Sequence, residues 1–171
     1  MGMGEGLTMR LKLAYIIATF FGVGYCPIAS GTAGSLVTLP FAFVLTFYCG
    51  GLPAMLAFFV LIYVLGTLAS KEVLKYTSHD PSIIVIDEVA GQLIPLMYIS
   101  SMSDPIAWWF WAVLAFILFR IFDILKPFPA SYFDKKILNA HGVMLDDIAA
   151  GVYTVIFIFV ASCIYTFVVA D

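Results

Sequence analysis

Long apolar runs limit this chain to a small set of folds. Continuous apolar stretches cover residues 36–48, 54–69, 106–119 and 148–170, and a further run at 83–99 is interrupted by three polar residues. The chain is 63% hydrophobic and only 11% charged. Such continuous runs are typical of membrane-spanning α-helices, whereas the strands of membrane barrels alternate polar and apolar residues. We therefore predict an all-α fold, a polytopic membrane helical bundle with about five spanning helices.

The first apolar stretch, residues 13–24, is short for a full crossing at about 1.5 Å per residue. We expect it to lie in the interface, to re-enter the membrane or to cross where the bilayer is thin. No secretory signal pattern, internal repeat or separate soluble domain is visible, so residues 1–171 are expected to form a single integral membrane domain. The widely spaced Cys26, Cys49 and Cys163 are predicted to be buried thiols without a disulfide or metal role.

The basic residues indicate the orientation. If each of the five runs crosses once, all eight lysines and arginines fall on the same side of the membrane. The positive-inside rule makes that side cytoplasmic. The glycine-rich residues 24–35, the segment 70–88 and the segment 119–147 then share one face, which predicts a single site there.

Charges concentrate in residues 119–151, which hold four of the 11 acidic and four of the eight basic residues. Arg120, Asp123 and Lys126 are spaced one helical turn apart before Pro127. They could be no more than an ion-paired helix end. The same set also suits phosphate chemistry, with arginine as a bidentate clamp, lysine as a point charge and aspartate on a metal. Asp134 extends the cluster, and the lysines at 135 and 136 are expected to meet lipid headgroups.

Two pairs of adjacent carboxylates flank apolar runs. Asp87 and Glu88 lie inside one run, where unpaired carboxylates are costly, although a water-facing helix start would also favour acids. Asp146 and Asp147 precede the last run, and either could serve as a helix N-cap. Together with Asp123, these pairs resemble an oxygen-rich site for Mg²⁺.

The glycine-rich sequence GTAGS could bind phosphate just before an apolar helix. Gly31 and Gly34 allow backbone amides to face an anion, and Thr32 and Ser35 add hydroxyl donors. The absence of a lysine before the hydroxyl residue excludes a Walker A loop. The alternative is a tight turn in which Ser35 is a helix N-cap.

Four blocks, GYCPIASGTAGSLVTLP, IVIDEVAGQLIPL, FRIFDILKPFP and GVMLDDIAAG, closely resemble the phosphatidylglycerophosphatase A family of bacterial membrane phosphatases. They follow the family's order and spacing over about residues 22–155. Two departures are Ser30, where the family usually has proline, and Asn139-Ala140-His141, which replaces a more glycine-rich segment. Neither removes a carboxylate.

The resemblance implies Mg²⁺-dependent hydrolysis of phosphatidylglycerophosphate to phosphatidylglycerol and phosphate, in glycerophospholipid biosynthesis. It places the reaction at the cytoplasmic side of the inner membrane, with this lipid and the surrounding membrane lipids as partners and no nucleic acid. The family's functional acids and their basic partners would fall on Asp87, Glu88, Asp123, Asp134, Asp146, Asp147, Arg120 and Lys126.

The mechanistic hypothesis is metal-assisted hydrolysis of a phosphomonoester. Asp123, Asp146 and Asp147, with Asp87 or Glu88, would hold one or two Mg²⁺ ions. The two basic partners and the amides of residues 31–35 would stabilise charge on the phosphoryl group. Direct attack by water and a covalent aspartyl-phosphate route both remain open.

Two other functions are considered. A phosphatidyltransferase acting on CDP-linked lipids also uses clustered aspartates and Mg²⁺, but its spaced pattern of DG, AR, G and two further aspartates is absent. A small transporter or channel would place Asp87 and Glu88 in an ion path. That function predicts acids through the depth of the membrane, whereas these acids gather on one side.

Overall fold

The computed structural model describes residues 3–77 and 81–169, with side chains for residues 8–77 and 81–164. This part of the chain is helical and contains no strand, which confirms the predicted all-α fold. In chain order the helices are α1 Met3–Ala18, α2 Ser30–Tyr48, α3 Leu52–Val73, α4 Ile86–Ile99, α5 Pro105–Leu125, α6 Ala130–Lys136 and α7 Ala140–Val169, with a 3₁₀ turn at Val23–Tyr25.

Four helices, α2, α3, α5 and α7, are long and apolar enough to cross a membrane. The expected fifth crossing corresponds to α4, which has 14 residues. At 1.5 Å per residue it is about 21 Å long, shorter than the roughly 30 Å hydrocarbon core. Ten of its residues are buried, because α2, α3, α5 and α7 all pack against it. The apolar sequence of α4 therefore reflects enclosure by other helices.

Two glycines bring α4 and α7 into backbone contact. A Cβ atom on Gly91 would lie 2.6 Å from the carbonyl oxygen of Asp147, and a Cβ on Gly151 would overlap the carbonyl oxygen of Gly91. Small residues at such a crossing let two helix backbones approach closely. This contact places the first turn of α4 beside Asp147.

The N-terminal helix α1 packs along α3 and is not among the four candidate spans. After it, Phe20, Phe21 and Gly22 adopt positive φ angles in the turn that follows the helix. The carbonyl of Ala18 accepts a hydrogen bond of 2.9 Å from the amide of Val85, just before α4. Residues 13–24 are thus divided between the last part of α1 and the turns that follow it.

The cysteines are free, as predicted, but the prediction that they are buried is wrong. Cys26, Cys49 and Cys163 are all exposed. Two lie at or near helix ends, and the third lies on the outward face of α7. An outward face of a membrane helix can meet lipid, so an apolar thiol need not be covered by protein there.

Candidate active site

Three carboxylates from two helices converge in the interior of the bundle. Asp87 and Glu88 belong to the first turn of α4, and Asp147 belongs to α7; their ligand oxygens lie within 4.8 Å of one another. The side chains of Asp87 and Asp147 are only 6% and 3% exposed. Like charges held this closely in a buried place repel each other unless a cation or proton offsets them. The cluster is therefore a candidate cation site.

The residues present fit a hard divalent cation such as Mg²⁺. Oε2 of Glu88 is buried and has no hydrogen-bond partner within the described residues, although a buried carboxylate oxygen without a partner is costly. The cluster offers only carboxylate oxygens, the ligands that Mg²⁺ prefers. Histidine and cysteine, the usual zinc ligands, are not part of it.

Arg120 connects this cluster to α2 and α5. Its Nη1 atom lies 2.6 Å from Oδ2 of Asp123 and 3.9 Å from Oε1 of Glu88, and it donates a 3.5 Å hydrogen bond to the Ser35 hydroxyl. Its Nε–H is buried and has no partner in the part of the chain that the structure describes. A guanidinium held in this way can still donate to an incoming anion.

Lys126 organises a second group of charges. Its ammonium lies 2.6 Å from Asp134 and 2.8 Å from Asp146, and it therefore joins α6 to α7. Partial burial alone would lower the pKa of Lys126, but the hydrogen bonds from its ammonium to the two carboxylates outweigh this effect and raise the pKa above its ordinary value. The side chain consequently stays positively charged. Lys126 also ends α5 in a left-handed conformation, and its amide donates to the carbonyl of Phe122.

Gly31 forms a wall of the site. A Cβ atom there would overlap Oε1 of Glu88 and lie 3.2 Å from Nη1 of Arg120. The interpretation of GTAGS as a tight turn capped by Ser35 is wrong, because α2 already begins at Ser30 and its N-cap residue is Ala29. Packing against α4 stabilises a helical turn whose glycines alone would disfavour a helix.

The other residues of GTAGS have separate environments. The Ser35 hydroxyl is buried and donates a 2.9 Å hydrogen bond to the carbonyl of Gly31. Gly34 allows close packing on Val85, whose side chain would lie 3.0 Å from an added Cβ. Thr32 is half-buried. Ser30, one of the two departures from the family pattern, donates from its hydroxyl to the carbonyl of Ser82, a contact that proline could not make.

The interpretation of Asp146 or Asp147 as an N-cap is also wrong. Helix α7 begins at Ala140, and Oδ1 of Asn139 accepts hydrogen bonds from the amides of His141 at 2.9 Å and of Gly142 at 3.2 Å. The second departure from the family pattern thus supplies the cap. Both aspartates lie inside the helix and are buried, so capping does not account for either of them.

The predicted acids divide into two neighbouring groups. Asp87, Glu88 and Asp147 form the carboxylate cluster, Asp123 joins it through Arg120, and Lys126 holds the remaining two acids at 134 and 146. By contrast, the lysines at 135 and 136 are exposed and form no ion pair with the described acids of either group.

Sequence reasoning gave no role to Gln92, which follows Glu88 by one helical turn. This side chain is fully buried, and neither of its amide atoms has a partner within the described residues. The available signal was a polar side chain on the same helix face as Glu88, inside an apolar run.

Comparisons with known proteins point to one family. The family model described as Phosphatidylglycerophosphatase A matches residues 16–162. A protein of that name from Haemophilus influenzae is 41% identical over 87% of this chain and 88% of its own length. Another from Escherichia coli K12 is 37% identical over 84% of this chain and 81% of its own length.

A third relative, from Bacteroides thetaiotaomicron, is 38% identical over 87% of this chain and 93% of its own length; its provisional name is phosphatidylinositol-3-phosphatase. No solved structure matches the chain. The resemblance inferred from the four sequence blocks is confirmed, and with it the prediction of a phosphatase. The chain belongs to the phosphatidylglycerophosphatase A family.

Proposed function

We propose that this protein removes the terminal phosphate of phosphatidylglycerophosphate, giving phosphatidylglycerol and phosphate, in a Mg²⁺-dependent reaction at the cytoplasmic face of a bacterial inner membrane. The convergence of Asp87, Glu88 and Asp147 beside Arg120 carries the proposal, because it joins a candidate cation site to a phosphate-binding side chain. Family membership supports the choice of substrate. The clustering of basic residues supports the choice of face.

Asp87, Glu88 and Asp147 are the residues that would hold the cation. A bound Mg²⁺ supplies a Lewis acid that offsets negative charge on the phosphate. Asp123 and Asp146 remain predicted ligands, although each now has a basic partner, Arg120 and Lys126 respectively. These pairs hold the two acids beside the cluster.

Arg120 would bind the phosphate of the substrate. Its ion pair with Asp123 and its hydrogen bond to Ser35 fix the guanidinium plane, and its buried Nε–H can donate to a phosphate oxygen. A guanidinium can hold two phosphate oxygens at once, which orients the phosphorus atom as well as binding it.

The first turn of α2 would add backbone donors. The first amides of a helix have no partner inside the helix, and they favour an anion. Gly31 lets these amides approach the carboxylate cluster, because it has no side chain to occupy the space. Of the predicted phosphate-binding residues, Gly31 and Thr32 would then bind the phosphate through their backbone amides. Ser35 would contribute by holding Arg120, and Gly34 by allowing α2 to pack on Val85.

Hydrolysis forms a bond from water oxygen to phosphorus and breaks the bond from phosphorus to the glycerol oxygen, which takes up a proton as it leaves. A carboxylate of the site would accept the proton from water. An aspartyl-phosphate route would replace the first attack by water with attack by an aspartate. Labelled phosphate trapped on an aspartate side chain would contradict the direct route.

The test is phosphate release by the purified protein in detergent. We expect release from phosphatidylglycerophosphate to exceed release from phosphatidylinositol 3-phosphate and phosphatidic acid. Chelation should abolish it, and added Mg²⁺ should restore it. Faster release from phosphatidylinositol 3-phosphate would contradict the proposed substrate. Full activity after chelation would contradict the proposed dependence on a cation. If none of the three lipids releases phosphate, the result would instead favour a phosphatidyltransferase or a transporter.

A further inference from the structure

A charged cavity lies between α1 and α3, and its lining includes no residue of the active site. Its volume is about 690 Å³. Three basic side chains and one acidic side chain contribute to its lining, together with apolar groups; the principal residues are Arg10, Leu68, Lys71, Glu72, Lys75 and Tyr76.

The cavity carries an excess of positive charge. Its single carboxylate, Glu72, is paired with Lys75 at 2.6 Å. Within the part of the chain whose side chains are described, no carboxylate lies within ion-pair distance of Arg10 or Lys71. Two cations therefore face the cavity without an anionic partner from those residues.

This cavity lies on the side of α3 away from the active site. Lys71 and Glu72 follow Leu68 by three and four residues and share one face of the helix, and Lys75 lies in the turn that follows it. The opposite face is buried and carries Gly66, Ser70 and Val73. Gly66 packs on Ile86, the residue before the first acid of the active site.

The apolar part of the lining indicates the kind of ligand. Leu68 is 58% exposed and Tyr76 is 55% exposed, although both are large apolar or aromatic side chains. They lie at the basic end of α3, one of the candidate membrane spans. Cations above exposed apolar side chains at the end of a span match a phospholipid, with its phosphate above and its acyl chains below.

We propose that this cavity binds the headgroup phosphate of an anionic phospholipid through Arg10 and Lys71. The site goes beyond the proposed function, because it takes a lipid phosphodiester and lies on the other side of α3. Tyr76 would border the headgroup region, as aromatic side chains do at membrane interfaces.

The test uses the full-length protein in phosphatidylcholine nanodiscs that also contain phosphatidylserine. Native mass spectrometry of the protein after its release from the nanodiscs measures how much phosphatidylserine it retains. Both lipids are phosphodiesters, so neither carries the phosphomonoester of the proposed substrate. Removing one cation with Arg10→Gln or Lys71→Gln should weaken phosphatidylserine binding about fivefold, and removing both should weaken it about 30-fold. Lys12→Gln is the matched control, because it removes a charge from α1 but does not line the cavity.

Retention of phosphatidylserine by the Asp147→Asn variant would support a site separate from the active site. Normal retention by the double variant would overturn the proposal. So would an equal loss in Lys12→Gln, since that result would indicate a general attraction of α1 to anionic lipid. Displacement of the lipid by soluble glycerol 3-phosphate would overturn it in favour of a site for free anions. None of these measurements depends on turnover, so a failure of the proposed phosphatase activity would be seen separately.

Discussion

Nζ of Lys126 lies 2.8 Å from Oδ2 of Asp146, and this contact joins the end of α5 to the interior of α7. The same ammonium lies 2.6 Å from Asp134 in α6. One cation thus holds two carboxylates, and it fixes the residue next to Asp147 of the carboxylate cluster. Lys126 is therefore expected to act as a positioning residue for the active site.

Replacing Lys126 with methionine tests whether this lysine positions the active site or only adds a positive charge to the surface. The change leaves Asp134 and Asp146 to repel each other, so we expect turnover to fall about 10- to 100-fold, as for other partners of metal-binding residues. The melting temperature should fall as well. Lys135→Met is the control, because that lysine is exposed and should change stability by no more than about 0.5 kcal/mol. Equal effects of the two variants on turnover would contradict the positioning role.

Asp147→Asn tests the cation site directly. Asparagine keeps the size of the side chain but removes its charge, so we expect weaker cation binding and a loss of turnover greater than about 100-fold. Electron paramagnetic resonance with Mn²⁺ as a probe measures binding independently of activity. Asp104→Asn is a matched control, because Asp104 is an exposed N-cap of α5 and asparagine caps helices equally well. Normal Mn²⁺ binding and turnover in Asp147→Asn would remove this residue from the site.

Gly31→Ala distinguishes a structural glycine from a wall of the active site. If the position were only helical, alanine would stabilise α2 by about 1 kcal/mol. Because a Cβ would overlap Oε1 of Glu88, we instead expect displacement of that carboxylate and a loss of turnover on the order of 100-fold. Ala33→Ser, which adds one atom to a half-buried neighbour, should retain activity. An active and more stable Gly31→Ala protein would show that the space is not needed.

The sequence was sufficient to predict features that depend on local pattern. The apolar runs predict the helical bundle, and the carboxylates inside or beside those runs predict site residues that include Asp87, Glu88 and Asp147, which the fold brings together. Local pattern was misleading where packing decides the outcome. The glycines of GTAGS indicated a turn, but packing on Glu88 and Val85 makes the segment helical.

Pairings between distant segments could not be read from one chain. The contact of Gly91 with Gly151 and the choice of Lys126 as the partner of Asp146 depend on how the helices cross. The run at 83–99 predicts a spanning helix, whereas α4 has 14 residues and is enclosed by other helices, because an apolar run has the same appearance whether lipid or protein surrounds it.

The exposed cysteines allow the proposed orientation to be measured. If the basic residues face the cytoplasm, Cys49 at the end of α2 should lie outside the inner membrane, and Cys26 before α2 should lie inside. In variants with a single cysteine, an impermeant thiol reagent should modify Cys49 in cells whose outer membrane is permeable, and Cys26 only after disruption of the inner membrane. The reverse pattern would place the active site on the other face.

Gly151→Leu tests the crossing of α4 and α7 that brings the carboxylate cluster together. The new side chain would occupy the position of the Gly91 carbonyl, so the two helices would have to separate. Overpacking of this kind typically costs about 1–3 kcal/mol, and we expect a lower melting temperature in detergent together with weaker Mn²⁺ binding. Val152→Leu enlarges the next residue of the same helix, which is 47% exposed, and should leave both properties unchanged. If Gly151→Leu loses stability but binds Mn²⁺ normally, the crossing supports the fold without positioning the site.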